Sequence, residues 1–256
     1  MAAIGIIPAR LGSTRLPGKV LLRETGKPLI QHVYESARGA ASLDRLVVAT
    51  DDPVVAEAAR GFDAEAVLTS PDHPNGTSRL AEACDVLRID DPGAIIVNVQ
   101  GDEPELDPWL IDAMVLALVR AGAGVEVASV GAPFGPDENP GDPNVVKVVR
   151  RVDGTALYFS RALVPFHRDV GEPAHPDARP LRHVGLYAFR RGFLRTYRGL
   201  APTPLEVTEK LEQLRILEHG YEIAVALASP RWPGGGIDTR EQYEAFVRRN
   251  SAGRRA

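Results

Sequence analysis

Hydrophobic and polar positions follow two rhythms along the chain. In the first third, short unbroken apolar runs alternate with longer amphipathic stretches. The runs at 3–7, 46–49, 64–68 and 94–99 read as strands buried on both faces. Between them lie helix-type segments. One covers 28–37 with Pro28 in its first turn, one starts at Pro53 and closes at Gly61, and one covers 77–87. Strands separated by helices of this length predict a parallel sheet built from βαβ units. After Ala121 the rhythm changes. Runs at 125–130, 145–149, 156–160 and 183–189 succeed one another without intervening helices, which predicts antiparallel or mixed sheet added to the parallel core. Residues 166–180 hold three prolines, Gly171 and two histidines without apolar periodicity, the pattern of a mobile loop. A helix over 209–219 ending at Gly220, a strand over 223–227 and a helix over 240–247 follow. No fixed-period repeat appears. The expected organisation is one α/β domain over 1–248 with a sheet extension at about 125–190, then a polar tail at 249–256.

Composition narrows the class. With 44% hydrophobic, 25% charged and 6% aromatic residues in 256, disordered and fibrous chains are excluded. A formal net charge of −4 gives no basis for nonspecific nucleic-acid binding. The single cysteine, Cys84, excludes an intrachain disulfide and any multi-cysteine metal centre. No apolar run approaches the roughly 20 residues of a membrane-spanning helix. No basic stretch precedes the first apolar run, so no signal peptide is expected. These features predict a soluble cytoplasmic protein with neither nucleic acid nor membrane as partner.

Four segments could carry chemistry. Pro8-Ala9-Arg10-Leu11-Gly12-Ser13-Thr14-Arg15-Leu16-Pro17-Gly18-Lys19 follows the first strand. A glycine-freed backbone with Arg and Lys at that sheet edge suits a polyphosphate. The spacing is neither a Walker A loop nor the dinucleotide fingerprint, and a solvated basic loop also fits. Asn98-Val99-Gln100-Gly101-Asp102-Glu103-Pro104 ends the strongest strand. Asp102 there could hold Mg²⁺ or cap the next helix. Gly236-Ile237-Asp238-Thr239 could supply a second carboxylate or an N-cap at Asp238 or Thr239. Residues 205–215 fit a charged surface helix, and His183 and Tyr187 share one strand face, where histidine more often serves structure.

Taken in order, these blocks resemble the 3-deoxy-manno-octulosonate cytidylyltransferases, or CMP-Kdo synthetases. The likeness runs through Ile7-Pro8-Ala9-Arg10, Ser13 to Lys19, His73, Gly76-Thr77, Arg79-Leu80-Ala81-Glu82 and Asn98 to Pro104. It continues in Pro143-Asn144-Val145-Val146-Lys147, Ala156 to Arg161, Arg182 to Tyr187, Leu211 to Arg215 and Gly236 to Thr239. Two departures stand out: Ser78 where the family usually has an acidic residue, and Val20 where proline commonly follows the lysine.

The resemblance implies a Rossmann-like nucleotidyltransferase fold, with a mixed, mostly parallel central sheet, helices on both faces and an added antiparallel region through which a homodimer forms. It implies transfer of CMP from CTP to 3-deoxy-D-manno-octulosonate (Kdo) for lipopolysaccharide biosynthesis, with Mg²⁺ on Asp102 and Asp238. Arg10, Lys19, Asp102 and Asp238 are the expected catalytic residues. Pro8, Ala9, Arg10, Arg15, Lys19, Thr77, Ser78 and Arg79 would bind the nucleotide. Gln100, Arg161, His183, Tyr187, Glu212 and Gln213 would surround the sugar acid, with Lys147 near its carboxylate. Another acidic sugar, such as 8-amino-Kdo or a nonulosonic acid, is the same-chemistry alternative. A noncatalytic sugar-nucleotide binder is the further one, although Asp102, Asp238 and Lys19 are all present.

Overall fold

The computed structural model describes residues 3–12, 15–73, 75–136, 138–168, 179–228 and 235–252. Ser13 and Thr14, most of the expected loop (169–178) and the end of the expected tail (253–256) lie outside the described residues. Strands β1 (Ala3–Ala9), β2 (Leu43–Thr50), β3 (Glu65–Leu68) and β4 (Ile95–Asn98) form the parallel start of a nine-stranded sheet. The other strands are β5 (Val127–Pro133), β6 (Lys147–Arg150), β7 (Ala156–Ser160), β8 (Leu181–Arg190) and β9 (Ile223–Leu227). The main path runs β3-β2-β1-β4-β8-β5-β9, and only β8 on it runs antiparallel to its neighbours.

Alternation along each strand divides the core into two layers. Ile95 and Val97 of β4 point to one layer and Ile96 to the other, which explains why such strands read as unbroken apolar runs. Helices α1 (Leu29–Ala37), α2 (Pro53–Arg60) and α4 (Pro108–Arg120) pack on the first face. Helices α3 (Gly76–Val86), α5 (Arg191–Tyr197) and, after α6 (Pro204–Glu209), α7 (Gln213–Glu218) pack on the second. A third cluster seats Tyr243 and Phe246 of α8 (Arg240–Ala252) against Leu16, Leu29 and Ile237.

Three local expectations change. The region at 125–190 is not wholly an extension, because β5 and β8 lie inside the main sheet and only the β6–β7 pair branches from β8. The helix expected over 209–219 is two short ones, parted at Lys210, whose φ of 56° is left-handed. The Thr203–Glu206 capping box starts the first, and the Glu209 carboxylate is taken by Ser160 and the Arg161 amide. The last helix extends past 248 through 252, and Arg249 pairs with Glu105 at 2.9 and 2.5 Å.

The path places the site. β1 has β2 on one side and β4 on the other: the chain leaves β1 for β2 over one face through α1 and returns from β3 to β4 over the other through α3, which opens a crevice at the carboxyl ends of β1 and β4. The loops after β1 and β4 and the N-terminus of α3 meet there.

Candidate active site

The loop after β1 is fastened by its own residues. Leu16 and Val20 are buried, the Gly18 N–H donates to the Leu11 carbonyl at 3.2 Å, and the Leu21 N–H donates to that of Gly18 at 2.9 Å. Gly18 sits at φ 66°, a conformation that disfavours a side chain. Val20, in place of the common proline, fills the core under the loop. This anchoring rejects the solvated-loop reading: Lys19 is held inward, with its side chain 12% exposed.

The loop after β4 crosses close beneath. A Cβ on Gly101 would lie 2.8 Å from the Pro8 carbonyl oxygen, so only glycine lets these loops approach. Asp102 does not cap the next helix; the Asp107 carboxylate does, accepting the Trp109 N–H at 3.0 Å. Asp238 is likewise free of capping duty. Thr239 and Gln242 serve the start of α8, with the Gln242 side-chain oxygen Oε1 accepting the Asp238 and Thr239 amides at 2.7 and 3.0 Å. Both carboxylates therefore turn to the crevice. The Lys19 ammonium donates to Asp102 at 2.7 Å, to Asp238 at 3.1 Å and to the Ile237 carbonyl at 2.9 Å. Arg15 pairs with Asp238 at 3.0 Å. An Ile237 N–H bond to the Asp102 carbonyl, 2.8 Å, ties the two loops together.

Two adjoining cavities open here. The first, about 440 Å³, is lined by Pro8, Ala9, Arg10, Arg15, Lys19, Arg79, Asp102 and Asp238, with His73, Asn75 and Gln100 among the rest. Four cationic side chains against two carboxylates suit a polyanion. The donor set also fits Mg²⁺. Among the described residues no third His, Cys, Asp or Glu joins the two carboxylates, and Mg²⁺ typically takes one or two carboxylates with phosphate oxygens and water. Beside them, burial and the Asp102 charge push the Glu103 carboxyl up to about 7. Arg79 is buried and donates to Thr69 at 2.5 Å and to the Ser70 carbonyl at 3.3 Å. The Ser70 N–H in turn donates to Glu82, which also holds His73.

The second cavity, about 310 Å³, shares Gly76 and Gln100 with the first and adds Thr77, Tyr187, Glu212 and Gln213. Gln100 is oriented by donating to the Gly185 carbonyl at 2.9 Å. Tyr187 stands opposite Asn98 in the β4–β8 register. Burial raises the pKa of the Tyr187 and Tyr197 hydroxyls, with the Glu212 charge adding to it. The break at Lys210 brings Lys210, Leu211, Glu212 and Gln213 to this wall.

Several expected site residues stand elsewhere. Thr77 lines the second cavity rather than the expected nucleotide cavity. Ser78 lines neither; its hydroxyl turns back to the Asn75 carbonyl at 2.9 Å, so the missing acidic group does not open onto either cavity. His183 lies off the cavity walls, 2.9 Å from the Ser129 hydroxyl and edge-on to Phe159 and Tyr187. Burial pushes its pKa down to about 3, so the ring is neutral. Arg161 spends its guanidinium on the Glu209 and Pro143 carbonyls, at 2.6 and 3.0 Å. Lys147 donates to the carbonyls of Asp142, Val145 and Arg161, at 2.9, 2.6 and 2.6 Å. Neither lines either of these two cavities, because both ion heads serve main-chain oxygens around β6 and β7. Conversely Asn75, Asn98, Gly185, Tyr197 and Lys210 line the cavities without having been expected. Asn98, Gly185 and Lys210 lie inside segments already singled out, and Asn75 carries its own signal as an N-cap residue before a helix.

Residues 4–223 match the model of the Cytidylyltransferase family. The chain is 49% identical over 248 residues to the 3-deoxy-manno-octulosonate cytidylyltransferase of Syntrophobacter fumaroxidans, covering 96% of each. It is 48% identical over 250 residues to the enzyme of that name from Halorhodospira halophila, covering 95% of each. A solved CMP:2-keto-3-deoxy-manno-octonic acid synthetase complexed with CTP is 38% identical and matches with a TM-score of 0.86 over 98% of both chains. A cytidylyltransferase from Leptospira borgpetersenii, 18% identical, shares the fold, with a TM-score of 0.61 over 96% of this chain and 84% of that one.

Proposed function

The chain belongs to the 3-deoxy-manno-octulosonate cytidylyltransferase family, and from that premise we propose that it transfers CMP from CTP to Kdo, releasing pyrophosphate, in lipopolysaccharide biosynthesis. The observation that carries this reading is the pair of adjoining cavities, one cationic and bounded by two carboxylates, the other polar, meeting at Gly76 and Gln100. A nucleotide triphosphate in the first and a sugar acid in the second would meet at that junction.

The anomeric 2-hydroxyl attacks the α-phosphorus and gives its proton to water, an oxygen–phosphorus bond forms, and the bond to pyrophosphate breaks. Such a transfer gains mostly from positioning and from neutralising charge. Arg10, Arg15 and Lys19 line the cavity that would take the triphosphate, and Lys19 is already oriented at its floor. Pro8 and Ala9, at the end of β1, offer backbone groups to the base. Asp102 and Asp238 would hold Mg²⁺, which supplies charge neutralisation at the phosphates. Gln100, Tyr187, Glu212 and Gln213 offer donors and acceptors to sugar hydroxyls.

The same reading includes a cytoplasmic homodimer formed through the β6–β7 branch. Exposed Leu157, Leu163 and Phe166 on and beside β7 support that contact, and light scattering on the eluting protein tests it. The activity is tested by pyrophosphate release with CTP and a panel of sugar acids. Kdo is expected to give the highest kcat/KM. A clear preference for 8-amino-Kdo or a nonulosonic acid overturns the substrate and leaves cytidylyl transfer standing; absence of release with every acid overturns both.

A further inference from the structure

A lysine ammonium has three hydrogens to donate, and at Lys19 the protein takes all three. They go to Asp102 Oδ2 at 2.7 Å, Asp238 Oδ1 at 3.1 Å and the Ile237 carbonyl at 2.9 Å. These acceptors belong to two loops far apart in sequence, which the Ile237 N–H bond to the Asp102 carbonyl holds together. Lys19 is sheltered beneath them, whereas the Asp102 and Asp238 side chains remain partly open to the first cavity.

Two roles proposed for this corner therefore compete. Asp102 and Asp238 would hold Mg²⁺, and Lys19 would neutralise a triphosphate, yet each is already spent on the other. Two carboxylate oxygens within 3.1 Å of one nitrogen repel each other once that positive charge is removed. Arg15 reaches the same Asp238 oxygen at 3.0 Å, but its side chain is 67% exposed and solvent screens the pair. Among the described residues Lys19 alone pairs with both carboxylates.

We infer that Lys19 is a positioning residue for the metal site: its ammonium is the resident counter-ion that keeps Asp102 and Asp238 converged, and it exchanges there with the divalent cation. This role deepens the proposed CMP transfer and rests on its Mg²⁺ site. Giving up the carboxylates frees the Lys19 N–H groups for phosphate oxygens, so its two roles follow one another. Without a nucleotide the displaced ammonium has no phosphate to receive it. Lys19 then holds divalent cations off the carboxylates.

The test uses Mn²⁺ as the probe and neither substrate. Electron paramagnetic resonance counts the free Mn²⁺ as the nucleotide-free protein is titrated. Lys19→Met keeps most of the side-chain length and removes the charge. The variant should bind Mn²⁺ about tenfold or more tightly than wild type, because the carboxylates no longer give up a partner to receive it. In chelator it should melt below wild type, and added Mg²⁺ should raise its melting temperature more than that of wild type. Asp102→Asn in the Lys19→Met background should abolish the gain, which assigns it to this pair. Lys19→Gln, with the same gain expected, serves if the methionine variant does not fold. Mn²⁺ affinity at or below wild type in the folded variants overturns the exchange, as does a gain that survives Asp102→Asn. Because neither substrate is present, failure of Kdo-dependent pyrophosphate release would overturn the proposed transfer and leave the Mn²⁺ result to stand by itself.

Discussion

Replacing His183 with glutamine should remove much of the acid sensitivity of the fold. The imidazole is wedged between Phe159 and Tyr187, with ring centroids 4.9 and 5.5 Å away, and its Nε2 lies 2.9 Å from the Ser129 hydroxyl. Burial pushes its pKa down to about 3, against about 6.5 in an unfolded chain. Below pH 6.5 the unfolded chain therefore takes up a proton that the native ring does not. The stability that this histidine permits is fully present above pH 6.5 and is lost as the pH falls through that value toward about 3. Integrated from pH 7 to pH 5, the loss is about 2 kcal/mol. Both pH values lie well above the folded pKa, so the figure is set by the unfolded value. Urea unfolding at pH 7, 6 and 5 should show wild type losing about 2 kcal/mol more than His183→Gln over this range. His73, held by Glu82, is present in both proteins and cancels in the comparison. Lost packing in the variant shifts its whole curve and leaves the slope alone. Equal slopes in the two proteins would refute a half-buried, neutral imidazole and restore His183 as a candidate wall of the sugar pocket.

Asp102→Asn and Asp238→Asn should each cost about 3 kcal/mol or more of transition-state stabilisation, read as a loss of kcat. Melting temperatures should stay near wild type, because α4 is capped by Asp107 and α8 by Thr239; activity within a few-fold of wild type contradicts the two-carboxylate site. Gly101→Ala forces a Cβ to within 2.8 Å of the Pro8 carbonyl oxygen. It should destabilise the protein by about 1–3 kcal/mol and weaken CTP binding in a fluorescence titration, and wild-type values for both would contradict the close loop approach. Lys147→Met strands the carbonyls of Asp142, Val145 and Arg161. It should cost about 3 kcal/mol in urea unfolding, without a selective rise in the KM for Kdo among folded molecules. A selective rise at full stability would return Lys147 to the sugar pocket.

The nucleotide side of the site was legible in the sequence because its residues are local. Arg10, Arg15 and Lys19 come from one loop, and Asp102 sits in the loop just after β4, so a single βα turn and its neighbour predict where they go. Asp238 is ambiguous in the sequence between ligand and cap; Thr239 and Gln242, acting together at the start of α8, release its carboxylate from capping. The sugar side is assembled from β4, β8, α3 and the α6–α7 break, and no spacing rule connects them. The break depends on Glu209 being drawn to Ser160 and Arg161 across the fold, so helical periodicity ran straight through it. Lys147 and Arg161 misled for the opposite reason. Cations suggest an anionic ligand, but here main-chain carbonyls, which a sequence does not display, take their donors. Helix α4 gives no clean stripe in the sequence: its buried Leu110, Ile111, Met114, Val115 and Leu118 share one face, but the exposed Trp109 and Leu116 on the opposite side are apolar too.

On this reading the two cavities hold CTP and Kdo for direct transfer at their junction. Phosphorus NMR on one sample of protein, CTP, Kdo and Mg²⁺ tests it most directly, because substrate and both products are resolved together. The CTP resonances should decline while pyrophosphate and a single new phosphodiester signal rise in equal amounts, and none of this should occur when Kdo is omitted. Pyrophosphate without the phosphodiester, or release that continues without Kdo, would contradict it.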